Sequence, residues 1–384
     1  MSQFTFETTP KIICEQGASK RLGEIVRELG ISKVFLITDI GLVKAGLIDS
    51  ALSSLSQAGA KVAVFSDVLA DPPEVSVQAA VQAAIAAGAD GVIGFGGGSS
   101  LDTAKLVALL AKTSQELPAI YGIGLARGPR LPLIQVPTTA GTGSEVTPIA
   151  ILTTPSHEKK GVVSPLLYPD VAVLDSLLTL GLPPAITAMT GVDAMVHAIE
   201  AFTSRSKKNA LSDALAIKAL QLLYANLPEA VSDGKDAQVR ENMLLGSLLA
   251  GMAFANAPVG AVHALAYPLG GHYQLPHGLT NSLVLLPVLK FNLPAAELLY
   301  AELGRAILPE LNSVSDELAA MDFIEAIAAH VITMPYAQRL REVGVKEHEL
   351  EMLARDAMNV QRLLVNNPRD VAYEDALSLY RSAY

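Results

Sequence analysis

The chain reads as two domains of different class: an α/β domain built on a parallel sheet over residues 1–180, then an all-α domain over residues 181–384. Three observations predict this. Short β-rich apolar runs alternate with helical stretches through the first half. Strand patterns stop after Leu182-Pro183-Pro184. Long helical runs follow, and from Asn242 to Leu289 there is no Asp, Glu, Lys or Arg at all.

The strand candidates are 33–39 (KVFLITD), 61–67 (KVAVFSD), 90–98 (DGVIGFGGG), 131–139 (LPLIQVPTT) and 171–175 (VAVLD). Segment 150–163 reads as two more strands around a polar turn at Pro155–Ser156. Helical stretches at 19–29, 48–59, 75–88 and 100–112 lie between the early strands. Continuous apolar strands alternating with helices imply a parallel sheet covered on both faces. Beyond residue 182, helices are expected at 190–201, 212–227 and 239–255, with a helical, charged tail from about Asp316.

With 384 residues, 51% hydrophobic and 17% charged, the chain is long and apolar enough for two sizeable cores. Its net charge of -10 argues against nucleic acid or an anionic membrane surface as partner. Cys14 is the one cysteine, so no internal disulfide forms, which fits a reducing, cytoplasmic compartment. The N-terminus shows no basic segment followed by an apolar one, so no signal peptide is expected. The uncharged run is long enough to span a bilayer. However, Asn256, Pro258, Gly260, His263, Pro268, Gly270 and Gly271 interrupt it, so a buried helical core is the expectation.

Two loops carry candidate binding residues. DGVIGFGGGSSLDTAK (90–105) ends a strand in Gly96, Gly97 and Gly98 and opens a helix. Glycines allow close backbone approach, and a helix N-terminus offers free N–H groups to a pyrophosphate. Ser99 and Ser100 supply hydroxyls or cap the helix. Asp102 reads as an acid of the first helical turn. The run VPTTAGTGSEVT (136–147) offers Thr138, Thr139, Thr142 and Ser144 among glycines, and turn chemistry alone would also explain it. Asp39, at the end of a strand, suits the two ribose hydroxyls of NAD, or else caps the turn that follows.

The all-α half holds a second set. In TGVDAMVHAIEA (190–201), Asp193 and His197 stand at i, i+4, on one face if the segment is helical, with Val192, Ala194, Met195, Val196, Ala198 and Ile199 apolar around them. VHALAYPLGGHYQLPHG (262–278) carries His263, His272 and His277 of the seven histidines in the chain. Any one of these alone reads as a satisfied core residue. Asp193, His197, His263 and His277 together make an O,N,N,N set that suits Fe²⁺, with Zn²⁺ also accepted. A structural zinc would more often use cysteines.

These motifs together resemble the iron-containing (group III) alcohol dehydrogenase family, within the dehydroquinate synthase-like fold. GGGSSLDTAK, VPTTAGTGSEVT, LPPAITAMTGVDAMVHAIEA, and His263 with PHG (276–278) carry the resemblance, which runs from KIICEQG to NNPRDVAYEDALSLY. It implies a Rossmann-like dinucleotide-binding domain followed by a helical domain that carries the metal. It further implies NAD(H)-linked, metal-dependent oxidation of a small alcohol, diol or hydroxyacid, or reduction of the corresponding aldehyde. Asp193, His197, His263 and His277 fall on its metal-ligand positions. Gly97, Gly98, Ser99, Ser100 and Asp102 fall on its pyrophosphate loop, Thr138, Thr139 and Thr142 on its second nucleotide loop, and Lys160 on a cofactor-contacting lysine. Asp39 falls on the position associated with NAD preference. A homodimer or larger homo-oligomer is expected, with no nucleic-acid or membrane partner.

Two departures stand out. Many members have a histidine four residues after the third ligand, where this chain has Tyr267, and an asparagine where it has Ile149. The first leaves the proton relay to Tyr267, to His272 if the loop beyond the glycines folds back, or to water and the cofactor ribose. Transhydrogenase-like and dehydroquinate synthase-like enzymes share the fold. The latter calls for basic residues around a phosphorylated substrate, and 242–289 has none. A non-enzymatic metal- and nucleotide-binding scaffold is a remoter alternative.

Overall fold

The computed structural model describes residues 3–156 and 158–384; His157 lies outside the described residues. The chain divides into two units. One is Thr8–Gly181; the other is Leu182–Tyr384 together with the N-terminal residues through Glu7. That N-terminal assignment differs from a plain cut near residue 180. Its cause is local: the Glu7 backbone exchanges hydrogen bonds with the Asn256 amide at 2.8 and 2.9 Å.

In chain order the first unit contains β1 (Lys11–Cys14), α1 (Leu22–Glu28), β2 (Lys33–Ile37), α2 (Ile40–Lys44), α3 (Asp49–Gln57), β3 (Lys61–Phe65), α4 (Glu74–Ala86), β4 (Gly91–Gly96), α5 (Gly98–Leu110), α6 (Leu117–Ile120), β5 (Gly122–Ile123), β6 (Leu133–Pro137), β7 (Ile149–Thr153), β8 (Lys159–Val163) and β9 (Val171–Leu174). Six strands form one parallel sheet in the order β1-β9-β6-β4-β2-β3. Side chains alternate across it. Val34, Leu36, Ile93 and Phe95 pack with Leu22, Ile25 and Leu55 of α1 and α3. Phe35, Ile37 and Val92 pack with Val77, Ala84, Val107 and Leu109 of α4 and α5. The expected strands and helices are all present. β1, paired with β9, is additional to them, and β5, β8 and β7 make a separate small sheet.

The sheet order decides where a ligand fits. From β2 the chain moves outward to β3, then crosses back to β4 on the other side of β2. The crevice at the carboxyl ends of β2 and β4 is therefore the topological switch point, the place where such sheets bind ligands. Asp39 follows β2 and Gly96–Ser100 follow β4.

The second unit is helical: α7 (Pro184–Thr203), α8 (Ala210–Ser232), α9 (Ala237–Asn256), α10 (Ala261–Tyr273), α11 (His277–Ile307), α12 (Asp316–Ile332), α13 (Leu350–Met358), α14 (Gln361–Leu364) and α15 (Tyr373–Ala383). Helix α7 starts at a proline pre-set for the first turn, and residues 191–203 are buried on every side. The uncharged run becomes the end of α9, all of α10 and the start of α11, with α9 and α10 bent by 104°. α11 has the length and apolarity of a bilayer-crossing helix; its residues 278–285 are all buried within the unit. α10 continues through Pro268, Gly270 and Gly271 and stops only at Gln274, whose φ is +53°.

Candidate metal centre and nucleotide loops

Helix α7 presents three polar side chains along one stripe. Asp193, His197 and Glu200 follow i, i+4, i+7 spacing, which keeps them on one face at 3.6 residues per turn. All three are buried. α10 adds His263 from its first turn, and α11 adds His277 as its first residue. One ligand atom from each of Asp193, His197, His263 and His277 lies within 4.8 Å of the others. The rings are layered: His197 stacks on Phe254 at 4.3 Å and on His263 at 4.8 Å, and His263 meets His277 at 5.3 Å.

The position of His277 depends on its neighbour. A Cβ on Gly278 would sit 2.2 Å from the Met189 carbonyl oxygen of α7. Only glycine lets the first turn of α11 approach α7 so closely, so PHG is a packing requirement as much as a ligand motif.

Two further residues complete the geometry. Glu200 accepts from the Val262 backbone N–H at 2.7 Å, at the N-terminus of α10. Its other oxygen lies 2.6 Å from His263 Nδ1. With the proton on Nδ1, the Nε2 lone pair of His263 is left for the cluster, the usual outer-shell arrangement of a metal-binding imidazole. Asn281, one turn beyond His277, donates from Nδ2 to Asp193 Oδ1 at 2.6 Å, and the same nitrogen lies 3.2 Å from His263 Nε2 and 3.3 Å from His277 Nε2. Three ligand atoms thus aim at one point. Asn281 Oδ1 is buried beside them without a hydrogen-bond partner among the described residues. Burial pushes the Asp193 carboxyl up. The imidazoles of His197, His277 and His263 and the Asn281 bond outweigh that and hold it below the ordinary carboxylate value. A buried carboxylate facing three imidazoles is a site that a divalent cation fits. Glu200 was legible as a third polar residue on the Asp193–His197 face, three residues after His197. Asn281 carried no signal in the sequence.

The two proposed relay residues part company. Tyr267, one turn after His263, has its ring 6.3 Å from that of His277. His272 is nine residues after His263, on the opposite side of a continuous helix. Its Nε2 pairs with Asp356 at 2.7 Å, and its side chain is 41% exposed. No loop folds back to carry it to the cluster, because α10 runs unbroken through the glycines.

In the α/β unit the two loops pack on each other. Thr139 stands 3.6 Å from where a Cβ of Gly97 would be, and Thr142 2.7 Å from one on Gly98. Gly98 is therefore needed for loop-on-loop packing, while Gly97 leaves room. Several expected ligand side chains are already engaged. Asp39 caps α2, accepting from Gly41 and Leu42 N–H. Ser99 Oγ accepts from the Asp71 N–H at 3.1 Å, and Ser100 is buried against Gly96. Thr138 is buried and its N–H bonds Gly96 O. Asp102 is in the second turn of α5, not the first. It accepts from Ser144 Oγ at 2.6 Å and from Ile151 N–H at 2.8 Å, tying both loops and β7 together. Lys160 pairs with Glu158 at 3.2 Å and is 44% exposed. Its neighbour Lys159 is the one clamped inward, on Asp71 at 2.7 Å. What remains for a phosphate is the start of α5, with the unpaired backbone N–H groups of any helix N-terminus.

Residues 9–176 match the family described as iron-containing alcohol dehydrogenase, and residues 187–384 match the C-terminal part of the Fe-containing alcohol dehydrogenase family. The chain belongs to the iron-containing alcohol dehydrogenase family. It is 38% identical to a sulfoacetaldehyde reductase of Bilophila wadsworthia over 99% of both chains. A solved 1,3-propanediol oxidoreductase superposes with a TM-score of 0.96 at 35% identity over 100% of both chains. A sulfoacetaldehyde reductase of Bifidobacterium kashiwanohense, solved in complex with NAD⁺, superposes with a TM-score of 0.88 at 28% identity, covering 100% of this dehydrogenase and 99% of that chain. As a member of the family it is an oxidoreductase, and its fold is that of the family's solved structures.

Proposed function

We propose that this enzyme reduces a small aldehyde with NADH, and oxidises the corresponding alcohol, diol or hydroxyacid with NAD⁺. The observation that carries the reading is the four-residue cluster, whose ligand atoms all lie within 4.8 Å. Asp193, His197, His263 and His277 would hold Fe²⁺. A divalent iron there supplies a Lewis acid for the substrate oxygen. Bound at the Gly97–Ser99 loop, NAD(H) supplies the hydride chemistry. Glu200 fixes the tautomer and direction of His263, Asn281 steadies Asp193, and Phe254 walls the cluster beside His197. Asp39 sets preference for NAD over NADP by its charge.

Proton traffic runs through water and the cofactor ribose, with Tyr267 shaping the site. Supporting this, a Lewis acid on the substrate oxygen would leave a positioned base little to add, and the Tyr267 hydroxyl already accepts from Arg362 at 3.2 Å. Tyr267→Phe should then keep the shape of the pH–rate profile and lose less than about tenfold, below the ~10²–10⁴ of a positioned acid or base. A larger loss with a displaced alkaline limb would make Tyr267 the proton carrier.

The same reading carries a cytoplasmic homo-oligomer without nucleic-acid or membrane partners, supported by the acidic balance and single cysteine. The test is turnover of small alcohols and aldehydes followed at the NADH absorbance band, with Fe²⁺ added to metal-stripped protein. Turnover that ignores added or chelated metal would refute it.

A further inference from the structure

We infer that Arg362 makes this site selective for aldehydes that carry an anionic group a few bonds from the carbonyl, such as short oxo-carboxylates and oxo-sulfonates. This names a substrate class for the function proposed above and rests on it.

The run that supplies His263, Tyr267 and His277 contains no charged residue from Asn242 to Leu289. Any recognition of charge at this site must come from another segment, and α14 supplies it. Arg362 Nη2 donates to Tyr267 Oη at 3.2 Å, and its Cζ lies 5.5 Å from the Tyr267 ring centroid. That ring is in turn 6.3 Å from the His277 ring. His277 is the open member of the cluster: its side chain is 35% exposed, whereas the other three ligand residues are buried. Tyr267 stands next to this open member, and Arg362 next to Tyr267. The two spans, 6.3 and 5.5 Å, place the guanidinium at most about 12 Å from His277. A short substrate and the reach of an exposed arginine cover that distance.

Arg362 also has capacity to spare. No carboxylate lies within salt-bridge distance of it among the described residues. Arg355, one helix earlier, pairs with Glu351, and Asp356 is engaged by His272 at 2.7 Å. One of its five N–H donors serves the Tyr267 hydroxyl. The remaining fork matches the oxygens of a carboxylate or sulfonate, and its bond to Tyr267 keeps it in the neighbourhood of His277, the exposed ligand residue.

The test compares kcat/KM for matched pairs on the iron-loaded enzyme: 2-oxoethanesulfonate against propanal, and 4-oxobutanoate against pentanal. The anionic-to-neutral ratio should fall at least tenfold in Arg362→Met, chiefly through KM, as expected for loss of a charge-assisted hydrogen bond. Arg362→Glu should lower it further, and Arg362→Lys should restore part of it. The two pairs separate sulfonate from carboxylate selectivity. Calorimetric titration with 2-hydroxyethanesulfonate and with 4-hydroxybutanoate gives a second readout, with binding to the wild type lost in Arg362→Glu. An unchanged ratio together with unchanged calorimetric binding in the Met and Glu variants would overturn the inference. Absence of turnover on all four aldehydes would instead refute the proposed function, and the titration would still decide the role of Arg362.

Discussion

The glycine loop and the histidine cluster were equally prominent as motifs, yet they are built in opposite ways. In the loop, the conspicuous side chains are engaged with the protein itself. Asp39 caps α2, Ser99 takes the Asp71 N–H, and Asp102 binds Ser144 and Ile151. They make a rigid frame, and the backbone is left to meet the ligand. In the cluster, the conspicuous side chains turn their ligand atoms toward one point, and their supports, Glu200 and Asn281, are the less conspicuous residues. A phosphate is held by main-chain N–H groups, which any sequence has, so the loop's residues are selected for scaffolding. A cation needs specific lone pairs, so the cluster's residues are selected for themselves.

That contrast is breakable. The largest effect is expected from His263→Ala and His277→Ala, which should each abolish iron retention, measured by metal analysis, and lower kcat/KM on the order of 10³-fold or more, equivalent to ~4 kcal/mol of lost charge stabilisation. Full iron content in both variants would mean that the cluster is not the metal site. Glu200→Gln should come next. It leaves all four ligands in place but weakens their support, so iron affinity should drop about 10- to 100-fold. An unchanged affinity would show that the support is dispensable.

On the loop side, Asp39→Asn separates two roles. Asparagine still caps α2, so the melting temperature should hold. The NADP-to-NAD ratio of kcat/KM should nonetheless rise, about tenfold, because the charge facing a 2′-phosphate is gone. Loss of stability with no change in preference would leave Asp39 as a cap alone.

A separate effect, on stability and not on turnover, is one of pH. Lys105 and Glu145 are buried together behind the loops. Burial pushes the Glu145 carboxyl up to about 7 and the Lys105 ammonium down to about 8. Because the folded-state value of Glu145 is raised, its contribution to stability is full below the unfolded pKa near 4.5 and is lost as pH rises toward 7. The swing is at most about 3 kcal/mol. Melting curves should therefore decline between pH 5 and 7 in the wild type and flatten in Glu145→Gln. An identical slope in the variant would show that Glu145 does not titrate there.

Much of this was readable from residues in order. Periodicity located the strands of the parallel sheet, the switch from strand to helix patterns near residue 182, and α7 with its Asp193–His197 pair. What periodicity leaves open has one cause. Lys160 and Lys159 are adjacent on β8, and alternation sends one outward to Glu158 and the other inward to Asp71. Which is which depends on register with β7. Gly270 and Gly271 suggest a break that would let His272 fold back, but α10 stays helical through both, with Ala266, Pro268 and Leu269 buried ahead of them. β1 carries too little pattern by itself, four residues and half-exposed, and is defined only by β9 beside it.

By itself the sequence determined the class of each half, the order of elements and the chemical types available to each site, because side-chain periodicity and ligand chemistry are local properties. Tertiary structure decided which atoms face each other. Asp193 and His277 are more than eighty residues apart in the chain, and only the packing of α11 on α7, permitted by Gly278 against Met189, brings their ligand atoms to 3.7 Å. Arg362 and Tyr267 are separated by 95 positions and meet only because the tail returns across α10. Such contacts depend on how whole helices fit together, which close packing settles for the unit as a whole.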